Sequence, residues 1–115
     1  MITRKVTQLP IFADKLANFI RARKVLQKDF DEFKRILAEH PEIAAVIQGT
    51  GGVRKTRLKS VSGGKRGGFR VCYYFHDIDL GEIFLITIYA KNENEDLTSS
   101  EKKDLKNLAD VIKRK

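Results

Sequence analysis

The sequence has 115 residues, of which 23 are Lys or Arg and 15 are Asp or Glu, so its formal net charge is +8. This length is typical of one domain, and the hydrophobic content of 42% argues against a disordered chain. No apolar run approaches the ~18 residues of a membrane-spanning helix, and the N-terminus has no apolar signal-peptide core. We therefore expect one domain over residues 1–115, located in the cytoplasm, with no membrane partner.

The N-terminal part is predicted to hold a short strand and two helices. The strand covers Thr3–Gln8, and the first helix begins at Pro10, since proline suits the first helical turn. Apolar residues at helical spacing predict the second helix, which should end near His40 because the residue before a proline leaves the helical region. A short helical turn over Pro41–Ile47 is expected next.

The C-terminal part is predicted to hold three strands and a last helix. Val53–Lys59, Phe69–Phe75 and Ile83–Tyr89 are rich in β-branched and aromatic residues, and the short polar links between them favour antiparallel hairpins. Thr98 and Glu101 have capping-box spacing at the start of the last helix. The element order β-α-α-β-β-β-α predicts an α+β fold with a small antiparallel sheet of three or four strands.

Positive charge is concentrated between Arg54 and Arg70. This segment has seven Lys and Arg residues and no Asp or Glu, and a local positive field of this kind suits phosphate. Gly51 and Gly52, just before it, either let backbone approach RNA closely or simply form a turn.

Strand alternation gathers part of this charge on one face of the sheet. Thr87, Tyr89 and Lys91 are predicted to share a face, and Phe84, Ile86 and Ile88 to take the other. With the strands in register, one side of the sheet becomes a basic cleft that contains an aromatic ring, as is typical of single-stranded RNA binding. The residues expected to converge there are Lys55, Arg57, Arg70, Tyr89 and Lys91.

Two other kinds of site are disfavoured. The stretch GTGGVRKT is not a nucleotide-binding P-loop, because Arg54 replaces the required glycine and a strand follows instead of a helix. His40 and His76 are far apart, and the single cysteine, Cys72, reads as an inert buried thiol. We expect no metal site and no cofactor.

Three stretches together resemble a known family. VIQGTGGVRKTRL, GKRGGFRVCYYF and FLITIYAKNENEDLT, within about residues 44–113, are similar to the RelE/HigB family of bacterial type II toxins, on the HigB side. The resemblance implies a compact sheet with two N-terminal helices on one face and a C-terminal helix. It also implies a metal-independent endoribonuclease that cuts messenger RNA in the decoding site of the ribosome, and a cognate antitoxin, expected to be a helix-turn-helix protein, that neutralises it.

The resemblance also implies roles for individual residues. The basic pair on the first hairpin strand corresponds to Lys55 and Arg57, the arginine opening the next strand to Arg70, and the basic residue after the last strand to Lys91. RelE toxins have a functional tyrosine shortly after the last strand, and NENEDLT has none, which makes Tyr89 a candidate substitute. The remaining basic residues of the segment are expected to bind RNA or the ribosome: Arg54, Lys59, Lys65 and Arg66.

Two other functions stay open at this point. One is a non-catalytic nucleic-acid-binding module that uses the same basic face. The other is a ParE-like inhibitor of DNA gyrase built on the same fold.

Overall fold

The computed structural model describes residues 4–61, 68–91 and 97–114. Within these ranges, no helix has the length and apolar character needed to cross a bilayer. The elements of the described ranges are, in chain order, β1 (Lys5–Gln8), α1 (Pro10–Arg21), α2 (Gln27–Glu39), β2 (Arg54–Leu58), β3 (Phe69–His76), β4 (Glu82–Ala90) and α3 (Ser99–Lys113).

The strands form one sheet in the order β1-β4-β3-β2. β2 pairs with β3, and β3 with β4, in antiparallel fashion, which confirms the predicted hairpins. β1 pairs with β4 in parallel, from Lys5 opposite Glu82 to Gln8 opposite Leu85, so the complete sheet is mixed. Two helices and two strands separate β1 from β4 in the chain, which is ample length for a parallel crossover.

α1 and α2 pack on one face of the sheet, as the resemblance implied. Each helix has an apolar stripe that is removed from water on this face, where burial of one large aliphatic or aromatic side chain is worth roughly 1.5–3 kcal/mol. The cluster includes Phe12, Leu16, Phe30 and Leu37 of the helices and Leu58, Val71, Tyr73 and Leu85 of the sheet.

α3 packs in a second cluster, with residues of the sheet that point away from α1 and α2. Its Leu105 and Ala109 bury Val53, Cys72 and Ile86. The predicted capping box at its start is confirmed, since Thr98 Oγ1 accepts a hydrogen bond from Glu101 N at 3.1 Å and Glu101 Oε1 accepts one from Thr98 N at 2.8 Å. The sheet thus has a separate apolar core on each face.

The expected helical turn over Pro41–Ile47 is wrong. This segment forms turns and bends, and then an isolated bridge joins Val46 to Arg54. Its carbonyl groups are used by the sheet instead of by a helix: Tyr73 Oη donates to Pro41 O at 2.9 Å, and Arg54 Nη1 donates to Ala44 O at 2.6 Å. These long-range bonds outweigh the local helical signal.

The alternation predicted for β4 is also wrong at one point. The register shifts between Cys72 and Tyr73, so that Cys72 pairs with Thr87 while Tyr73 pairs with Leu85. One extra residue of β4 is accommodated there, as in a β-bulge. Ile86 consequently packs in the α3 cluster, whereas Ile88 packs in the α1–α2 cluster. The two isoleucines do not share a face.

Candidate nucleic-acid interface

Three of the predicted residues lie in one row across the sheet. Arg57 of β2 pairs with Arg70 of β3, and Arg70 pairs with Tyr89 of β4. Arg57 is exposed, whereas Arg70 and Tyr89 are 8% and 6% exposed. The bulge on β4 lies before Tyr89 and leaves this row intact. We call these three residues the Arg57–Arg70–Tyr89 row.

Lys55 lies one alternation further along the same face. It pairs with Cys72, which pairs in turn with Thr87. Burial raises the pKa of the Cys72 thiol to about 11, and the nearby positive charge of Lys55 opposes that rise. The thiol is therefore neutral at physiological pH and buried, as expected, while the half-buried Lys55 lies beside the row.

Lys91 follows the last residue of β4. Its backbone N–H donates to Gly68 O at 3.3 Å, so the chain is still tied to the start of β3 at this point. The register brings Lys55, Arg57, Arg70 and Tyr89 to one face of the sheet, and Lys91 follows directly at the end of β4.

The surroundings of Arg70 disfavour its positive charge. Burial lowers the pKa of Arg70 below its usual value, the positive charge of Arg57 lowers it further, and Tyr89 raises it. Within the described parts of the chain Arg70 forms no ion pair, and its guanidinium donates a long hydrogen bond of 3.5 Å to Phe69 O. An arginine held charged beside another arginine is suited to an anionic ligand, because the ligand supplies the missing counter-charge.

The flanking basic residues differ in their surroundings. Arg54 lies on the opposite side of β2 from Lys55. Its guanidinium donates to Ala44 O at 2.6 Å and forms an ion pair with Glu42 at 3.5 Å, so these contacts hold the segment before β2. Lys59 directly follows β2 and is exposed. The predicted contacts of Lys65 and Arg66 fall outside the residues that the structure describes.

The glycines before β2 serve the turn and its packing. Gly51 and Gly52 have φ of +70° and +117°, which other residues rarely adopt. Gly51 O accepts a hydrogen bond from Lys113 Nζ at 2.8 Å, and a Cβ on Gly52 would lie 3.1 Å from the Tyr74 ring. Of the two explanations for these glycines, the structure supports turn formation, because α3 and a tyrosine occupy the space around them.

Sequence reasoning missed two charged residues beside the row. Lys15 of α1 reaches the edge of the sheet, where its Nζ lies 3.4 Å from Thr87 Oγ1. Glu101 of α3 lies close enough to Cys72 to raise the pKa of that thiol. The capping-box pattern marks Glu101 only as part of a helix start, and no local pattern marks Lys15. Both residues are placed beside the row by the way their helices cross the sheet. Within the described ranges, no group of three His, Cys, Asp or Glu side chains could hold a metal ion.

A comparison with protein families agrees with the fold. Residues 14–115 match the model described as RelE toxin of the RelE / RelB toxin-antitoxin system. The match begins within α1, continues through α3 and includes every residue of the predicted site. The chain therefore belongs to the RelE toxin family, and an antitoxin is the partner that this family implies.

Proposed function

We propose that the protein is a ribosome-dependent endoribonuclease of the HigB-like branch, which cuts messenger RNA in the decoding site and so stops translation in the cytoplasm. The Arg57–Arg70–Tyr89 row carries this proposal. It presents two guanidinium groups on neighbouring strands, and directly paired residues have Cβ atoms about 5 Å apart. Two such forks can both contact one phosphate of an RNA chain.

The chemistry open to this site is attack by the RNA on itself. A base removes the proton of a ribose 2′-OH, the resulting oxygen bonds to the adjacent phosphorus, and the bond to the 5′-oxygen breaks as that oxygen takes a proton from an acid. The products are a 2′,3′-cyclic phosphate and a 5′-hydroxyl. Arg57 and Arg70 remain protonated in proteins, so their role is to neutralise the charge of the pentavalent intermediate.

Proton transfer then falls to the lysines or to the tyrosine. Lys55 stands beside the arginine row, and a positioned amine can take up or release a proton. Lys91 lies at the other side of the row, after β4. Tyr89 is 6% exposed and is therefore better placed to position Arg70 than to reach a ribose itself.

The dependence on the ribosome agrees with this modest set of groups. A site without histidine or metal gains most from a substrate held in the reactive geometry, and such positioning can lower a barrier by roughly 7–11 kcal/mol. The ribosome would supply that geometry for messenger RNA in its decoding site.

The experiment compares one messenger RNA free in solution and bound to translating ribosomes. We expect cleavage on ribosomes, with cyclic phosphate ends, and its loss in Arg57→Ala and Arg70→Ala. Arg35→Ala is the matched control, since Arg35 is exposed on α2 and pairs with Glu39 at 2.9 Å.

Other outcomes would contradict the proposal. Uncut RNA that is retained in a gel-shift assay would favour a non-catalytic binding module. Loss of gyrase supercoiling activity with messages intact would favour a ParE-like inhibitor.

A further inference from the structure

A carboxylate of α3 lies beside the Arg57–Arg70–Tyr89 row. A cavity of about 270 Å³ is lined by Glu101 of α3 and by Thr87 and Tyr89 of β4. Tyr89 is also the cross-strand partner of Arg70, so this cavity adjoins the row. Among the residues predicted from the sequence, only the two lysines and the tyrosine can transfer a proton. Glu101 adds a carboxylate, a group that the predicted set lacks.

Glu101 and Lys55 bring opposite charges to the same point of β3. Lys55 is the cross-strand partner of Cys72, and α3 covers Cys72 from above the sheet. Both charges act on the pKa of the Cys72 thiol, Lys55 lowering it and Glu101 raising it. Within the described residues no ion pair joins Lys55 to Glu101, so the ammonium and the carboxylate are near each other but separated. Arg70 lies two residues before Cys72, on the same face of β3.

The start of α3 fixes the direction of the Glu101 carboxylate. Its Oε1 accepts a hydrogen bond from Thr98 N at 2.8 Å, as one half of the capping box. Its Oε2 forms no hydrogen bond or ion pair with another described residue. A negative charge is favoured in the first turn of a helix, where the backbone N–H groups are exposed. Glu101 therefore combines an anchored oxygen with a second oxygen that can accept a proton.

Capping alone would not require a carboxylate at this position. The N3 residue of a capping box needs one side-chain oxygen, and glutamine supplies it as well as glutamate does. A purely structural role and a role in proton transfer therefore make different predictions for Glu101→Gln.

We propose that Glu101 is the general base of the cleavage reaction and Lys55 its general acid, an assignment that rests on the proposed function. Glu101 Oε2 takes the proton of the ribose 2′-OH as that oxygen bonds to the adjacent phosphorus. The bond from phosphorus to the 5′-oxygen breaks as Lys55 Nζ gives that oxygen a proton. Glu101 then loses its proton to water and Lys55 regains one from water. Arg57 and Arg70 stay charged throughout and stabilise the non-bridging oxygens.

The first test measures single-turnover cleavage of messenger RNA on ribosomes, with the protein in saturating excess. Glu101→Gln keeps the capping box but cannot accept the proton. We expect its rate to fall roughly 10²–10⁴-fold, as on loss of a general base, with ribosome affinity and thermal melting unchanged. Asp104→Asn is the matched control, because Asp104 is an exposed carboxylate of α3 that lines the same cavity. It should cleave at close to the wild-type rate.

A substrate with sulfur in place of the bridging 5′-oxygen separates the base from the acid. A thiolate leaves without being protonated, because thiols are far more acidic than alcohols. Lys55→Met should therefore cut this substrate nearly as fast as the wild type, although it cuts ordinary messenger RNA slowly. Glu101→Gln should stay slow on both substrates, since the 2′-OH must lose its proton in either case.

Several results would overturn the assignment of Glu101. A wild-type rate in Glu101→Gln would do so, and so would an equal loss of rate in Asp104→Asn. Recovery of Glu101→Gln on the sulfur substrate would make the residue the acid, and a loss confined to ribosome affinity would make it a binding residue. In each of these cases the wild type still cuts messenger RNA. A wild type that cuts none on ribosomes would instead contradict the proposed function, and this assignment with it.

Discussion

Replacing Arg70 by methionine should make the protein more stable and abolish messenger RNA cleavage. Arg70 is 8% exposed and is paired across the strands with Arg57. Its lowered pKa shows that the folded protein disfavours its charge, first through burial and then through Arg57. Methionine keeps much of the length and the packing of the side chain but carries no charge.

The magnitude follows from two contributions. Two unit charges roughly 6 Å apart repel each other by about 0.7 kcal/mol in bulk water and by about 3 kcal/mol near a protein surface, and the lower part of this range applies because Arg57 is exposed. Replacing buried ion pairs by well-packed apolar side chains is often neutral or stabilising by about 1–4 kcal/mol, which shows how much burial of charge can cost. The hydrogen bond that is lost, to Phe69 O, is 3.5 Å long and therefore weak. We expect the free energy of unfolding to rise by about 1 kcal/mol.

Urea unfolding of the wild type and the variant, at low and high salt, measures this change. The gain should shrink as salt screens the repulsion between Arg57 and Arg70. Arg35→Met is the matched control with opposite electrostatics, because Glu32 and Glu39 raise the pKa of Arg35, so its replacement should not stabilise. A stability loss above about 1 kcal/mol in Arg70→Met, or full cleavage by it, would refute this account of the row.

Three further outcomes follow from the structure. Gly52→Ala should lower the free energy of unfolding by about 2 kcal/mol or more, since φ is +117° and a Cβ would lie 3.1 Å from an aromatic carbon of Tyr74. Gly49→Ala, at φ +82° with its nearest neighbour at 4.0 Å, should lower it less, and urea unfolding measures both variants. Stability should fall between pH ~9 and ~11, because the pKa of Cys72 is raised to about 11 and the unfolded state releases the thiol proton first; Cys72→Ala should show a smaller fall in the same titration. Tyr73→Phe should cost roughly 1–3 kcal/mol, because Pro41 O loses the buried donor 2.9 Å away, and a neutral result would contradict the role of this bond.

The parts of the site on β2 and β3 could be predicted because alternation holds there without interruption. Lys55, Arg57 and Arg70 needed nothing beyond a period of two and an in-register hairpin, and the structure pairs Arg57 with Arg70 directly. On β4 the same rule failed at Ile86, since a bulge depends on how the partner strand fits and has no mark in the sequence of β4. Thr87 and Tyr89 both follow the bulge, so the alternation predicted for these two residues holds.

Charge density alone does not indicate which basic residues make contacts within the fold. Arg54 belongs to the same basic segment as Arg57, and its guanidinium donates to the carbonyl of Ala44. Arg54 and Arg57 lie on opposite faces of β2, a difference that could be counted from the strand. The position of Lys15 beside Thr87 could not be predicted by counting along a strand, because it depends on how α1 crosses the sheet.

The position of α3 affects the surroundings of the Arg57–Arg70–Tyr89 row. Its start is fixed by the capping box of Thr98 and Glu101, and its end is held where Lys113 Nζ donates to Gly51 O at 2.8 Å. Between these points, Leu105 packs with Tyr89 in one cluster, so the helix helps to bury one end of the Arg57–Arg70–Tyr89 row. The same packing ties the surroundings of Arg70 to the position of α3, because Tyr89 is the cross-strand partner of Arg70.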